Sequence, residues 1–119
     1  MGDYRSLKVW EKAHGLVLAV YQSTESFPKS EMFGLTGQLR RAAASIPANL
    51  AEGSGRDGDR ELARFCRIAL GSAAELDYHL LLARDLGLLD PATHLELESH
   101  TTEVRRMLSA LIRSLKVVD

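Results

Sequence analysis

The feature that most constrains this sequence is an apolar repeat of helical period, which recurs four times between short turn signals. Within each repeat the apolar residues are spaced by three and four positions, so they share one helical face, and no segment alternates as a strand does. Short turns between long helices make sequential neighbours antiparallel. We therefore predict an all-α fold, an antiparallel up-and-down four-helix bundle, with helices over residues 7–26, 33–52, 59–86 and 91–117.

Capping and turn signals set these boundaries. Ser6 is a candidate N-cap of the first helix, and Pro28 ends that helix because the residue before a proline is disfavoured in the helical region. The glycine-rich run 53–58 is the clearest predicted loop. Gly87 has the position of a left-handed C-terminal glycine, and Pro91 follows an aspartate, as at the first turn of a helix.

Pro47 lies inside the apolar pattern of the second predicted helix. A proline there removes one backbone hydrogen bond and crowds the carbonyl of Ala43, which costs roughly 3 kcal/mol in a helix interior. The apolar phase nevertheless continues as far as Leu50. We therefore predict a second helix that is kinked at Pro47 rather than broken there.

The third and fourth helices carry more apolar residues than one seam requires. Four residues widen their stripes, namely Leu81, Leu82, Met107 and Ile112. A surface too wide for one partner indicates burial between subunits, and the alternative is that it widens the internal core. The seam of the fourth helix itself follows a heptad, which favours shallow left-handed packing. It consists of Leu97, Thr101, Val104, Leu108, Leu111, Leu115 and Val118.

Length and composition limit the class of protein. With 119 residues and a hydrophobic fraction of 45%, the chain can build one core, so we predict a single domain over residues 1–119. The one cysteine cannot form an internal disulfide, and residues 1–12 lack the apolar core of a signal peptide. No apolar run approaches the ~20 residues of a membrane span. These features predict a cytoplasmic protein with no membrane partner.

The sequence does not match the spacings of known catalytic or metal sites. Metal carboxylate bundles use Glu-x-x-His pairs, whereas Glu75 precedes His79 by four positions. Cys66 lies in an apolar helix pattern, where a free cysteine behaves as a small hydrophobe. The run 53–58 follows a helix and lacks a closing Gly-Lys-Ser/Thr, so it does not fit a nucleotide loop. We expect a protein that is not an enzyme, with no cofactor, metal or small-molecule substrate.

Arginines are concentrated in the middle of the chain. Between residues 36 and 68 there are six arginines and four acids, a local charge of +2 in a chain of net charge −1. Arg60, Arg64 and Arg67 are spaced to share one helical face, which Arg40 and Arg41 could approach from the preceding antiparallel helix. Arginine suits bidentate contacts to phosphate, so these five residues form a hypothetical nucleic-acid-binding face. The alternatives are a solvated face or ion pairs between subunits.

Five short segments occur in an order that is typical of one family. They are Leu7-Lys-Val-Trp10, Ala13-His14, Gly34-Leu-Thr-Gly-Gln-Leu-Arg-Arg-Ala42, Ser45-Ile-Pro-Ala-Asn-Leu-Ala-Glu-Gly53 and Ala69-Leu-Gly-Ser-Ala-Ala-Glu-Leu76. With them the sequence resembles the family called four helix bundle protein, also described as 23S rRNA intervening-sequence proteins. The resemblance covers nearly the whole chain and weakens only in the fourth helix.

The resemblance implies properties that residue spacing does not show. Members are similar to the accessory protein of diversity-generating retroelements, which forms a pentameric ring with a basic surface and associates with a reverse transcriptase and nucleic acid. Other members are encoded inside insertions in rRNA genes, and the family implies no enzymatic activity. A homo-oligomer, specifically a pentamer, is therefore expected, with RNA, DNA or a nucleic-acid enzyme as candidate partners.

The polar residues around the proline receive a structural interpretation from the same resemblance. Ser45 and Asn49 are expected to satisfy backbone groups that Pro47 frees. The two glutamates of the motif are expected to pair with arginines such as Arg41 between helices. The predicted structural motif consists of Ser45, Pro47, Asn49, Glu52, Gly53 and Glu75.

Two functions stay open on this basis. The first is a non-catalytic, homo-oligomeric scaffold that binds nucleic acid, or a nucleic-acid enzyme, through the arginine face. The alternative is a protein–protein adaptor that binds no nucleic acid and uses its arginines in ion pairs. A metal-dependent enzyme would require iron, manganese or zinc to copurify with the protein.

Overall fold

The computed structural model describes residues 3–117. It contains four α-helices, α1 (Lys8–Thr24), α2 (Leu35–Ser54), α3 (Gly58–Asp85) and α4 (Pro91–Ser114). Each helix packs against its neighbours in sequence, and α4 closes the bundle against α1, giving a body of 46 × 24 × 22 Å. Because no strand occurs among the described residues, the predicted four-helix bundle is confirmed. In that part of the chain every helix falls short, in length or apolar character, of what a membrane crossing requires.

The predicted apolar stripes form one core along the bundle axis. Burial of large aliphatic side chains stabilises such a core by roughly 1.5–3 kcal/mol each. The largest fully buried ones are Leu16, Val20, Leu39, Ile46, Leu50, Leu76, Leu80, Val104 and Leu108. The fourth-helix seam is confirmed as far as Leu108, whereas α4 ends at Ser114 and leaves Leu115 beyond it. Val118, the last residue of the predicted seam, lies outside the described residues.

The ends of α3 and α4 follow the predicted capping chemistry. Gly87 has a φ of +77°, and the next residue's N–H donates to the Ala83 carbonyl at 2.9 Å, which closes a left-handed helix C-terminus. The carboxylate of Asp90 accepts the backbone N–H of Thr93 at 2.8 Å and so caps α4. The prediction for α1 is wrong, because its N-cap is Leu7 and the Ser6 hydroxyl donates instead to the carbonyl of Asp3.

The second helix continues through Pro47 without a break, as predicted, and it extends further than expected. Gly53 and Ser54 belong to α2, so the predicted loop 53–58 is reduced to residues 55–57. The reason is packing: a Cβ at Gly53 would lie only 2.8 Å from the Cβ of Phe65. Gly53 therefore allows close contact between α2 and α3 and is not a flexible hinge.

The widened apolar stripes mostly serve the internal core. Leu82, Met107 and Ile112 are half-buried against it, which supports the second of the two interpretations, while Leu81 is exposed. Other apolar side chains, outside the predicted stripes, have larger exposed fractions. Phe33, between α1 and α2, is 97% exposed. The surface available for contact between subunits is therefore different from the one that the sequence indicated.

Candidate nucleic-acid interface

The register of α2 against α3 separates the five predicted arginines. The hydroxyls of Ser45 and Ser72 are 2.8 Å apart, which places these two residues at the same level of the bundle. At a rise of 1.5 Å per residue, Arg40 and Arg41 then lie about 14–26 Å along the axis from the three arginines of α3. The structure does not bring the two groups together, so the predicted face is divided.

Arg40 connects α2 to α1. Its Nε donates to the Thr24 hydroxyl at 3.0 Å and its Nη2 to the Tyr21 carbonyl at 3.4 Å. The guanidinium also lies 4.5 Å from the centroid of the Tyr21 ring. These contacts give Arg40 a structural role. Arg41 is exposed and extends past Gly37, where an added Cβ would be 3.0 Å from its Nη1.

The three arginines of α3 share an exposed face, as their spacing predicts. Arg64 is engaged locally: its guanidinium donates to both Glu61 carboxylate oxygens at 3.1 and 3.2 Å and lies 4.4 Å from the Phe65 ring centroid. Hydrogen bonding by Arg64 holds the pKa of the Glu61 carboxyl below its usual range. Arg60 and Arg67 have no carboxylate partner within 4.0 Å among residues 3–117. They are the α3 cations available to a ligand.

The polar motif around Pro47 joins α2 to α3, although in a different way from the prediction. The Asn49 amide donates to the carbonyl of Ser45 at 2.7 Å and to its hydroxyl at 3.0 Å, and that hydroxyl bonds Ser72. The carbonyl that a proline at position 47 leaves without its usual donor is that of Ala43, four residues earlier. The prediction is therefore wrong about which backbone group is satisfied.

The predicted ion pairs between helices are absent from the described part of the chain. Glu52 pairs with Arg56, one turn further along, at 3.0 Å. Glu75 is exposed, and no lysine, arginine or histidine nitrogen within residues 3–117 lies within 4.0 Å of its carboxylate. The prediction that these glutamates pair with Arg41 is therefore wrong. Glu52 pairs with Arg56, four residues later in the sequence, and Glu75 has no such partner among the described residues.

The nucleophile and metal-ligand candidates remain dispersed. Cys66 is fully buried in the core, and burial raises the pKa of its thiol to about 11, so the thiol stays protonated near neutral pH. His79 is buried, while His100 lies at the surface with its Nε2 3.1 Å from the carbonyl of Lys12. Within residues 3–117 no three His, Cys, Asp or Glu side chains are grouped closely enough to hold a metal ion.

Charge is divided between the two ends of the bundle. We define the basic half as residues 3–16, 45–71 and 103–117, which surround the α2–α3 turn, and the acidic half as residues 17–44 and 72–102. The basic half contains eleven cations and seven acids, a net charge of +4. The acidic half contains four cations and eight acids, a net charge of −4. The two halves cancel over residues 3–117, and Asp119, which lies outside them, gives the chain its net charge of −1. This small net charge conceals a strongly polarised surface.

Sequence reasoning missed three basic residues on α4, Arg105, Arg106 and Arg113. They line an open groove of about 510 Å³ between α3 and α4, which we call the α3–α4 groove. Two features of the sequence indicate this cluster. The charged residues of α4 change from mostly acidic to mostly basic along its length. Arg106 and Arg113 are seven positions apart, so they share a helical face. All three arginines lie outside residues 36–68, the span in which the arginines are concentrated along the sequence.

Together these features define an all-α, antiparallel four-helix-bundle protein with a polarised surface. The family described as 23S rRNA-intervening sequence protein matches residues 5–110. The chain therefore belongs to the 23S rRNA-intervening sequence protein family. No curated protein matches the sequence.

A solved structure supports the fold independently of the family match. The chain is similar to the crystal structure of a protein of unknown function from the S23 ribosomal protein family of Bacteroides thetaiotaomicron, with a TM-score of 0.79. The sequences are 21% identical, and the alignment covers 89% of this chain and 99% of that one. At this level of identity the similarity shows the shared bundle.

Proposed function

We propose that this protein is a non-catalytic, homo-oligomeric scaffold of the cytoplasm that binds nucleic acid, or an enzyme bound to nucleic acid, through its basic half. The observation that carries the proposal is the separation of charge into halves of +4 and −4. A polyanion is attracted to one end of such a molecule even though the whole chain is slightly acidic. Released counterions then contribute to the affinity.

The exposed face of α3 is the first part of this interface. Arg60 and Arg67 present guanidinium groups without a protein partner in the described residues, and guanidinium forms bidentate hydrogen bonds with phosphate oxygens. Arg40 is not assigned to the interface because its Nε and Nη2 donate to α1. Arg41 lies in the acidic half and is likewise not assigned to it.

Self-association is supported by the distribution of apolar surface. Nine large apolar side chains are exposed in residues 3–117, and eight of them lie in the acidic half, with Ile68 as the exception. The acidic half is thus the better candidate for subunit contacts, which leaves the basic half free for a ligand. The resemblance to pentamer-forming relatives supports a ring of five. A ring would repeat the basic surface and increase binding through avidity.

The test combines binding and assembly measurements on one pair of variants. Fluorescence anisotropy with a labelled 23S rRNA fragment at about 50 mM salt should show binding that weakens steeply as salt rises. Arg60→Glu/Arg67→Glu should lower the affinity at least ~10-fold and leave the mass from light scattering unchanged. The matched control is Arg84→Glu, since Arg84 lies in the acidic half and pairs with Asp85.

Two results would contradict the proposal. Absence of RNA and duplex-DNA binding by the wild-type protein at this salt concentration would refute it. Loss of assembly in the double variant would instead support the adaptor hypothesis, in which the arginines form ion pairs between proteins.

A further inference from the structure

The α3–α4 groove contains a second cluster of hydrogen-bond donors, separate from the exposed face of α3. One wall is a single apolar residue of α3, and the other is a polar strip along α4. The lining residues are Leu70, Thr102, Arg105, Arg106, Ser109 and Arg113. The strip lies on one side of α4 because its members are spaced by three, four and seven positions.

The charges in this groove are poorly compensated. Arg106 and Arg113 have no carboxylate within 4.0 Å in the described part of the chain, and Arg105 reaches Asp77 only at 4.0 Å. Guanidinium groups only donate hydrogen bonds, and the hydroxyls of Thr102 and Ser109 have no assigned partner among residues 3–117. Like charges in one groove repel one another, and an anion bound between them would relieve that repulsion.

The dimensions of the groove fit an extended polyanion better than a single anion. Arg106 and Arg113 are seven residues apart, which is about 10.5 Å along α4, and the strip from Thr102 to Arg113 is about 16 Å long. Side chains that extend straight out from α4 at this separation hold their guanidinium groups apart, so both contact one phosphate only if they fold toward it. A chain of phosphates laid along the groove contacts each group without that rearrangement.

We propose that the α3–α4 groove binds the phosphodiester backbone of a nucleic acid, with Arg106 and Arg113 contacting separate phosphates. Ser109 and Thr102, which is the last residue before the basic half on α4, donate their hydroxyl protons to phosphate oxygens along the same strip. Arg67 lies one turn before Leu70 on α3, so the groove adjoins the exposed arginine face. This inference rests on the proposed function and assigns it a second, distinct contact surface.

The alternative occupant is the acidic half of another copy of this chain. A protein interface of that kind would be expected to bury apolar side chains, and Leu70 is the one apolar residue of the lining. Within residues 3–117, eight of the nine exposed large apolar side chains lie in the other half. The groove therefore favours a ligand that supplies acceptors and charge.

The salt dependence of RNA binding tests the groove directly. The probe is a labelled 20-nucleotide single-stranded RNA, titrated at several salt concentrations from about 50 to 200 mM. Each phosphate contact to a single strand contributes about 0.7 to the slope of log affinity against log salt. Arg106→Gln/Arg113→Gln should therefore reduce the slope by about 1.4 and lower the affinity at least ~10-fold at the lowest salt. The control is Arg84→Gln, which should match the wild type.

The outcomes separate this inference from the proposed function. If the wild type binds RNA and the double variant keeps its affinity and slope, the groove assignment is wrong and the proposed function stands. If the double variant loses assembly but keeps RNA binding, the groove holds a second copy, which also overturns the assignment. Failure of the wild type to bind RNA overturns both. Should the double variant unfold, each single variant carries the test, with an expected slope change of about 0.7.

Discussion

The two halves of this bundle have the same architecture but different surfaces. The basic half has a net charge of +4, one exposed large apolar residue and a groove lined by three arginines. The acidic half has a net charge of −4 and eight exposed large apolar residues. One continuous core supports both, so the difference lies entirely in the residues that point outward. One fold thus presents two chemically different surfaces at opposite ends.

The turns that close the two halves also differ. At the basic end, α2 and α3 approach closely because Gly53 has no side chain to separate them. At the acidic end, Gly87 and the carboxylate of Asp90 close the turn between α3 and α4 by hydrogen bonds to backbone groups. Both turns contain a left-handed glycine, Gly58 at the basic end and Gly87 at the acidic end, so the two turns differ in the steric fit at Gly53 and in the Asp90 cap. Variants at each end should respond differently.

The largest expected effect concerns assembly through the acidic half. Phe33→Ser/Leu95→Ser removes two of its most exposed apolar side chains, and we expect it to convert the proposed oligomer to monomers. Light scattering over a concentration series measures the change. Ile68→Ser is the matched control in the basic half and should leave the mass unchanged. Dissociation by the control alone would reverse the assignment of the two halves.

The next effect is on the reactivity of Cys66, which lies in the core of the basic half beneath the exposed arginines. With its thiol pKa raised to about 11 and no exposed surface, the folded protein should react with a thiol reagent at pH 8 at least ~100-fold more slowly than the unfolded chain. The absorbance of Ellman's reagent measures both rates. Rapid reaction of the folded protein would contradict the burial of Cys66 in the core.

A smaller effect is expected on stability at two of the helical glycines of the basic half, Gly53 and Gly71. Gly53→Ala should destabilise the fold by about 1–3 kcal/mol, because overpacking against Phe65 outweighs the better helix propensity of alanine. Gly71→Ala should stabilise it by up to ~1 kcal/mol, since nothing lies within 4 Å of an added Cβ. Urea unfolding measures both variants. Equal effects of the same sign would show that α2 and α3 do not pack closely at position 53.

The smallest effect concerns the cap at the acidic end. Hydrogen bonds from Thr93 hold the pKa of Asp90 below its usual range, so its stabilisation is present at neutral pH and is lost as pH falls through the folded-state value. Asp90→Ala should lower the midpoint of thermal unfolding at pH 7, and the difference from the wild type should shrink in acid. Asp90→Asn keeps an acceptor at every pH and serves as the control. A difference that is independent of pH would exclude a capping role for the charged form.

Most of the fold was predictable because burial in a helix bundle follows the spacing of apolar residues. The phase of α2 even predicted that it continues through Pro47. The exact ends were harder, since they depend on contacts between helices: Gly53 reads as a loop residue until α3 is placed against it. Ser6 failed as a cap because a short 3-10 turn engages its hydroxyl before α1 begins.

The candidate site was predictable only in part. Helical spacing correctly grouped Arg60, Arg64 and Arg67, but it could not show that Arg64 is held by Glu61 or that Arg40 is held by α1. Those outcomes depend on the rotation and register of neighbouring helices. The change from acidic to basic along α4 was visible in the sequence. Combined with the predicted antiparallel order, it was sufficient to locate the basic half.

Cysteine footprinting tests the central claim, that nucleic acid binds the basic half and not the acidic half. Ser109→Cys lies in the α3–α4 groove, and Ser26→Cys lies at an exposed position just beyond α1, in the acidic half. The buried Cys66 should not interfere with alkylation of either. At saturating RNA and about 50 mM salt, we expect alkylation of Ser109→Cys to slow at least ~10-fold and that of Ser26→Cys to stay unchanged. Protection of Ser26→Cys, or equal reactivity of both with and without RNA, would contradict the account.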